Sequence, residues 1–149
     1  MPRSIPHNAI VLVADGRKAL FLRNEGDEKF ANLKTERVLT DENPPTHLQG
    51  TDRPGHAIKV PGTGRRSSME QTDWHDIESH KFARRVAAAL EELMQSLEIK
   101  ALLIAAPPRT LADLRKALHA DIKGRIIAEL DKDLTRHSVA DIEKHMLAQ

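Results

Sequence analysis

The sequence predicts an α/β protein built on one five-stranded mixed sheet, in the order β-β-β-α-β-α-β-α. Three observations carry that expectation. Two apolar runs flank an Asp-Gly pair near the N-terminus, the pattern of a hairpin. A long segment after residue 73 repeats its apolar residues every three or four positions, as a helix does. In the second half, short apolar runs alternate with amphipathic segments of helical length, the pattern of strand–helix–strand crossovers.

Each element follows from its own residues. "NAIVLVA" (8–14) is a nearly unbroken, β-branched run and reads as a buried strand. "DGR" turns the chain, and "KALFLRN" (18–24) is the returning strand. "NLKTERVLT" (32–40) carries Leu33, Thr35, Val38 and Leu39 and reads as a third antiparallel strand. From about residue 74 to 98, Ile77, Phe82, Val86, Leu90, Leu93, Met94 and Leu97 form an apolar stripe expected to pack across the sheet. "IKALLIAA" (99–106) is a fourth strand, ended by Pro107 and Pro108. Thr110 and Asp113 have the spacing of a capping box for a helix at 111–120, whose buried stripe is Leu111, Leu114 and Leu118. "KGRIIAEL" (123–130) is the fifth strand, and Ser138 with Asp141 caps a last helix carrying Ile142, Met146 and Leu147. With the first strand central and right-handed crossovers, the order matches the ribonuclease-H-like plan.

Residues 41–72 fit no regular element. They hold Pro44, Pro45, Pro54, Pro61, Gly50, Gly55, Gly62 and Gly64 with few large apolar side chains, and are expected to be a flexible loop within a single domain spanning 1–149. Gly62 and Gly64 would hinge this loop, and Trp74, the only tryptophan, would anchor it where the helix begins.

Composition narrows the function classes. The 23 basic and 22 acidic residues give a net charge of +1, so any anionic partner must meet a local patch. There is no cysteine, which excludes disulfides and thiolate metal sites. No stretch approaches the roughly 20 apolar residues that span a bilayer, and the N-terminus lacks a signal-peptide pattern. A cytoplasmic protein that does not engage a membrane is the expectation.

The eight histidines include no pair with convincing ligand spacing, so no metal is expected. Asp15 ends the first strand, where a two-metal nuclease places a carboxylate, but the Asp-Gly turn accounts for it and the fourth strand ends without an acid. Glu129, Asp131 and Asp133 read as a polar strand face running into a loop. "GTGRRS" lacks the spacing of a phosphate-binding P-loop, and nothing resembles a nucleophile elbow. No catalytic residue and no cofactor are predicted. From Arg53 to Arg66 every charged residue is basic, and Lys81, Arg84 and Arg85 follow on the helix. Two readings stay open for these cations: a solvated loop and helix face, or a groove that meets phosphates. The anion-binding candidates are Arg65, Arg66, Lys81, Arg84 and Arg85.

"AAPPRTLADLRKAL…GRIIAELDKDLTRHSVADIEKHM" resembles the bacterial family of host attachment proteins, described as required for attachment to host cells. The matching positions are Pro108, Arg109, Leu111, Leu114 and Arg115, then Lys132, Asp133, Leu134 and Thr135. "VADGRKALFL" and the residues Asp76, His80, Phe82 and Ala83 fit the same family. In fold plan that family is similar to the middle domain of the archaeo-eukaryotic peptide-chain release factor and to Pelota. There a Gly-Gly-Gln tip precedes a long basic helix and triggers peptidyl-tRNA hydrolysis on the ribosome. This sequence has no Gly-Gly-Gln, and Gln71 follows Met69 and Glu70. The resemblance therefore implies a bacterial, non-catalytic module contacting RNA or the ribosome through its basic loop and helix. Its alternatives are a direct or indirect role in attachment to host cells, or a degenerate peptidyl-tRNA ester hydrolase.

Overall fold

The computed structural model describes residues 4–41 and 76–148, together with the helical backbone of 63–75. Five strands, β1 (Ile10–Ala14), β2 (Lys18–Asn24), β3 (Leu33–Thr40), β4 (Leu102–Ala105) and β5 (Ile126–Leu130), form one sheet in the order β3-β2-β1-β4-β5. β1, β2 and β3 are an antiparallel meander, whereas β4 lies parallel to β1 and β5 parallel to β4. The sheet is mixed and β1 is its central strand, as the sequence predicts.

Every residue of β1 is buried, because both faces of the sheet are covered. On one face, Ile10, Leu12, Phe21 and Ile104 meet Phe82, Val86, Leu90 and Met94 of the long helix α1 (Thr63–Ser96), with Leu111 and Leu114 of α2 (Pro108–Ala117). On the other, Val11, Val13, Leu22 and Leu103 meet Ile5, and Ile142 and Met146 of α4 (Val139–Leu147). A single turn, α3 (Ala120–Lys123), buries Ile122 beside α2. The alternation along β1 thus splits the core into two layers.

The β1–β2 hairpin forms where Asp-Gly predicts it, by another device. No described glycine has positive φ. Instead Asp15 Oδ1 accepts hydrogen bonds from the amides of Arg17 and Lys18, both at 2.7 Å, and so replaces the left-handed turn. Gly16 is used for closeness: a Cβ there would lie 3.1 Å from Ser79 Oγ of α1.

The polar interior is concentrated at the other end of the hairpin. Asn24 is fully buried. Its Nδ2 donates to the carbonyls of Ile5 (2.8 Å), Pro6 (3.2 Å) and Asp27 (3.4 Å), and its Oδ1 accepts from the amides of Gly26 (2.9 Å) and Asn32 (2.8 Å). One side chain holds the N-terminal segment and the β2–β3 turn together.

Three expectations are corrected. α1 begins at Thr63, not near residue 74, so Gly64, Arg65 and Arg66 belong to helical backbone rather than to a hinged loop. Residues 65–71 contain no Gly, Pro or β-branched residue to oppose a helix, but only Met69 is large and apolar, so no stripe marks them. Residues 42–62, including Gly62 and most of the expected loop, lie outside the described residues, as does the side chain of Trp74. α2 begins at Pro108 with no side-chain cap: proline fits the first helical turn, where its missing N–H has no partner to lose. Thr110 and Asp113 are therefore no capping box. Finally, Ile77 is 50% exposed and outside the buried stripe. Ser138 does cap α4, accepting from the Asp141 amide at 3.2 Å.

α1 ends in a Schellman motif. The Ile99 amide donates to Met94 O (2.9 Å) and the Glu98 amide to Gln95 O (3.3 Å), while Met94 and Ile99 are both buried. Glu98 occupies the left-handed position at φ 52°, where glycine is usual. Glu98→Gly should raise stability by up to about 1 kcal/mol, read as a higher urea midpoint at unchanged slope.

Candidate functional site

The parallel strands β1, β4 and β5 all end at the same edge of the sheet, and their following residues meet there. In open α/β sheets this edge is where ligands bind. Asp15 follows β1, Pro107 and Pro108 follow β4, and the segment 131–138 follows β5. Thr135 is buried and its hydroxyl lies 2.6 Å from Asp133 Oδ1 and 3.2 Å from Asp15 Oδ2. A hydroxyl has one proton to give, and the shorter contact, to Asp133, takes it. Asp133 Oδ1 also accepts from the Thr135 amide at 2.9 Å. Thus Asp15, Asp133 and Thr135, 120 residues apart in sequence at their extremes, come together where the hairpin meets the β5–α4 connection.

Beside this cluster α1 and α2 run in the same direction and face each other through polar side chains. Arg109 donates to Asp76 in an ion pair. One turn on, His80 Nδ1 lies 2.9 Å from Asp113 Oδ1. Another turn on, Arg84 and Lys116 flank a cleft of about 210 Å³ whose other lining residues are His80, Asp113 and Ala117. Farther along, His119 Nε2 lies 3.6 Å from Glu91 Oε1, and its amide donates to Glu91 Oε2 at 3.3 Å. Asp113 is the buried member, its side chain only 8% exposed; His80 is about half exposed.

The structure therefore gathers several of the sequence candidates and separates others. Asp76, His80, Arg109, Asp133 and Thr135 lie at or beside the strand-end edge, with Pro108 opening α2 there. Arg115 faces away: it forms a two-pronged pair with Glu129 of β5, with Nε 3.2 Å from Oε2. The hydrogen bond and charge of Glu129 raise the guanidinium pKa further above its ordinary value. Lys132 is exposed. Of the described cations on α1, Lys81 lies 3.9 Å from Glu78, Arg85 stacks 5.7 Å over the Phe82 ring, and Arg84 has no carboxylate partner among the described residues. The backbone of Arg65 and Arg66 is helical; their side chains lie outside the described ones.

Asp113 and Lys116 were not singled out from the sequence as ligand-facing residues. The available signal was a recurrence: Asp76, His80 and Arg84 on one helix, and Arg109, Asp113 and Lys116 on the other, each step three or four residues. Among the described residues, no group of three or more His, Asp or Glu is placed to hold a metal ion, and no helix is long and apolar enough to cross a membrane.

A family model described as bacterial archaeo-eukaryotic release factor family 12 matches residues 8–146. The match takes in all five strands, α1, and the residues gathered at the strand-end edge. No curated protein matches the chain by sequence.

Proposed function

Because this chain belongs to bacterial archaeo-eukaryotic release factor family 12, we propose that it is a non-catalytic module that contacts RNA, most directly on the ribosome, through the basic residues of α1. The observation that carries this is the continuity of the helix. Arg65, Arg66, Lys81, Arg84 and Arg85 all stand on α1, so one rod presents cations over about 30 Å at 1.5 Å per residue. Lys81, Arg84 and Arg85 are exposed. A rigid element that carries its charges in fixed order loses little entropy on meeting a phosphate backbone, in contrast to a tethered loop.

Ester hydrolysis at peptidyl-tRNA is less well supported. The sequence has no Gly-Gly-Gln, and Gln71, preceded by Met69 and Glu70, stands in helical backbone rather than at a glycine-flanked tip. A part in attachment to host cells has only the sequence resemblance behind it.

Binding should depend steeply on salt. With four arginine–phosphate contacts at a log–log slope of about −0.7 each, a fourfold rise in salt should weaken affinity for single-stranded RNA about fifty-fold. The double variant Arg84→Glu, Arg85→Glu should lose most of the binding and about half of that slope while keeping its melting temperature, because both side chains are exposed. Filter binding and ribosome co-sedimentation at two salt concentrations check this. A parent protein that binds neither RNA nor ribosomes at low salt rejects the reading.

A further inference from the structure

We infer that the cleft between α1 and α2 is a binding site for a single phosphate group, held by Arg84, Lys116 and His80 and shaped by Asp113. The inference deepens the RNA-binding reading by naming the subsite, and it rests on that reading only for the origin of the phosphate.

Four features point to this ligand. Arg84 and Lys116 approach the cleft from different helices, and neither has a carboxylate partner among the described residues. By contrast their neighbours are engaged: Arg115 by Glu129, Arg109 by Asp76 and Arg85 by the Phe82 ring. Two cations left unpaired at one small cleft leave it electropositive: with His80 neutral, Arg84 and Lys116 against Asp113 give a net +1, and a protonated His80 adds one more. Next, His80 is oriented. Asp113 Oδ1 takes its Nδ1 side at 2.9 Å, which turns Nε2 away from the carboxylate. Nε2 can then accept from a P–OH or, when protonated, donate to a P–O⁻. Third, Asp113 is sequestered. Its side chain is nine-tenths buried and directed to the imidazole, so its charge is spent on His80 rather than on repelling an anion. Last, apart from the His80 imidazole, already turned to Asp113, no ring and no large aliphatic side chain lines the cleft of about 210 Å³, so a base finds no platform on which to stack. A phosphate suits it, and a nucleobase does not.

The phosphate belongs either to an RNA backbone or to a free, small phosphate. Inorganic phosphate is the first probe, titrated into the full chain while the imidazole signals of His80 are followed by ¹H–¹⁵N NMR, against chloride at equal ionic strength. A saturable shift with phosphate and none with chloride is expected. Arg84→Gln and Lys116→Gln should each weaken the phosphate affinity about tenfold, the loss of one charge-assisted contact. Arg115→Gln is the control: it removes a cation from the next residue of the same helix but outside the cleft, and should change affinity less than about twofold. Shifts that grow linearly with phosphate and match those of chloride overturn the site. So does an equal loss in all three variants, which would mark a general effect of charge.

An RNA oligonucleotide without terminal phosphates forms the second arm. Displacement of phosphate from His80 by that RNA assigns the cleft to a backbone phosphate. RNA bound without disturbing His80 assigns it to a free phosphate. Saturable phosphate binding in a protein that binds no RNA would support the cleft and reject the RNA reading; RNA binding without a phosphate site would do the reverse.

Discussion

Leu90→Asp should abolish cooperative folding. Leu90 is fully buried about two turns before the end of α1, in the cluster that joins the helix to β1, β2 and β4. Removing a buried leucine side chain costs about 2–5 kcal/mol. Placing a carboxylate there adds the cost of burying an unpaired charge, relieved in part only by protonation or local unfolding. The sum reaches much of the roughly 5–15 kcal/mol that holds a domain of this kind together. Circular dichroism should show no sharp thermal transition and a lost near-ultraviolet signal. Leu90→Met, which keeps volume and polarity, should cost less than about 1.5 kcal/mol. Ala88→Asp is the matched control: the same charge two residues earlier, on an exposed position, should be nearly neutral. An unchanged melting temperature for Leu90→Asp would reject the packing of α1 on the sheet.

Asn24→Leu should be the next most damaging change. It is close to isosteric but removes five hydrogen bonds from a fully buried side chain. The amides of Gly26 and Asn32 lose their acceptor, and the carbonyl of Ile5 loses its closest donor. Each buried group left without a partner costs about 1–3 kcal/mol, so the expected loss is about 3–5 kcal/mol, or roughly 10 °C in melting temperature. Native-state hydrogen exchange gives the sharper reading: the Gly26 and Asn32 amides should lose protection selectively. Asn24→Asp separates the two halves of the network. It keeps acceptors for the two amides and removes the donors, so it should restore that protection while remaining less stable than the parent. Uniform loss of protection across the sheet in Asn24→Leu would mean that this side chain is not a local fastener.

The fold was largely readable because burial in this chain follows simple periods. β1 is apolar throughout since it is covered on both faces, and the second half of α1 shows its stripe because the sheet lies beneath it. The first turns of α1 were not readable, since residues 63–73 contain only Met69 as a large apolar residue and helix propensity alone leaves a faint mark. The start of α2 was misplaced because Pro108 reads equally as the end of a strand and the first residue of a helix. Asn24 is invisible for another reason. An asparagine at a strand end looks like ordinary turn chemistry, and only the assembled N-terminal segment and β2–β3 turn reveal that it is enclosed. The candidate site was half visible. The resemblance supplied Asp76, His80 and Arg109, but pairing across 33 residues, as between Asp76 and Arg109, has no local signature. His80 has no partner nearby in sequence, because the carboxylate it meets, Asp113, lies on another helix.

The facing charges of α1 and α2 also work as a vernier. Each exposed pair contributes little to stability, yet the series favours one alignment of the two helices. Sliding α2 by one turn in one direction would set Asp76 against Asp113 and His80 against Lys116; in the other, it would exchange the Asp76–Arg109 and His80–Asp113 pairs for a single Arg84–Asp113 pair and set His80 against Arg109. Apolar surfaces slide past one another at low cost, because leucines and alanines look alike one turn apart. Charges of alternating sign do not. The consequence is positional accuracy: the two helices are held to a single register, so that the spacing between Arg84 and Lys116 is reproduced each time the chain folds.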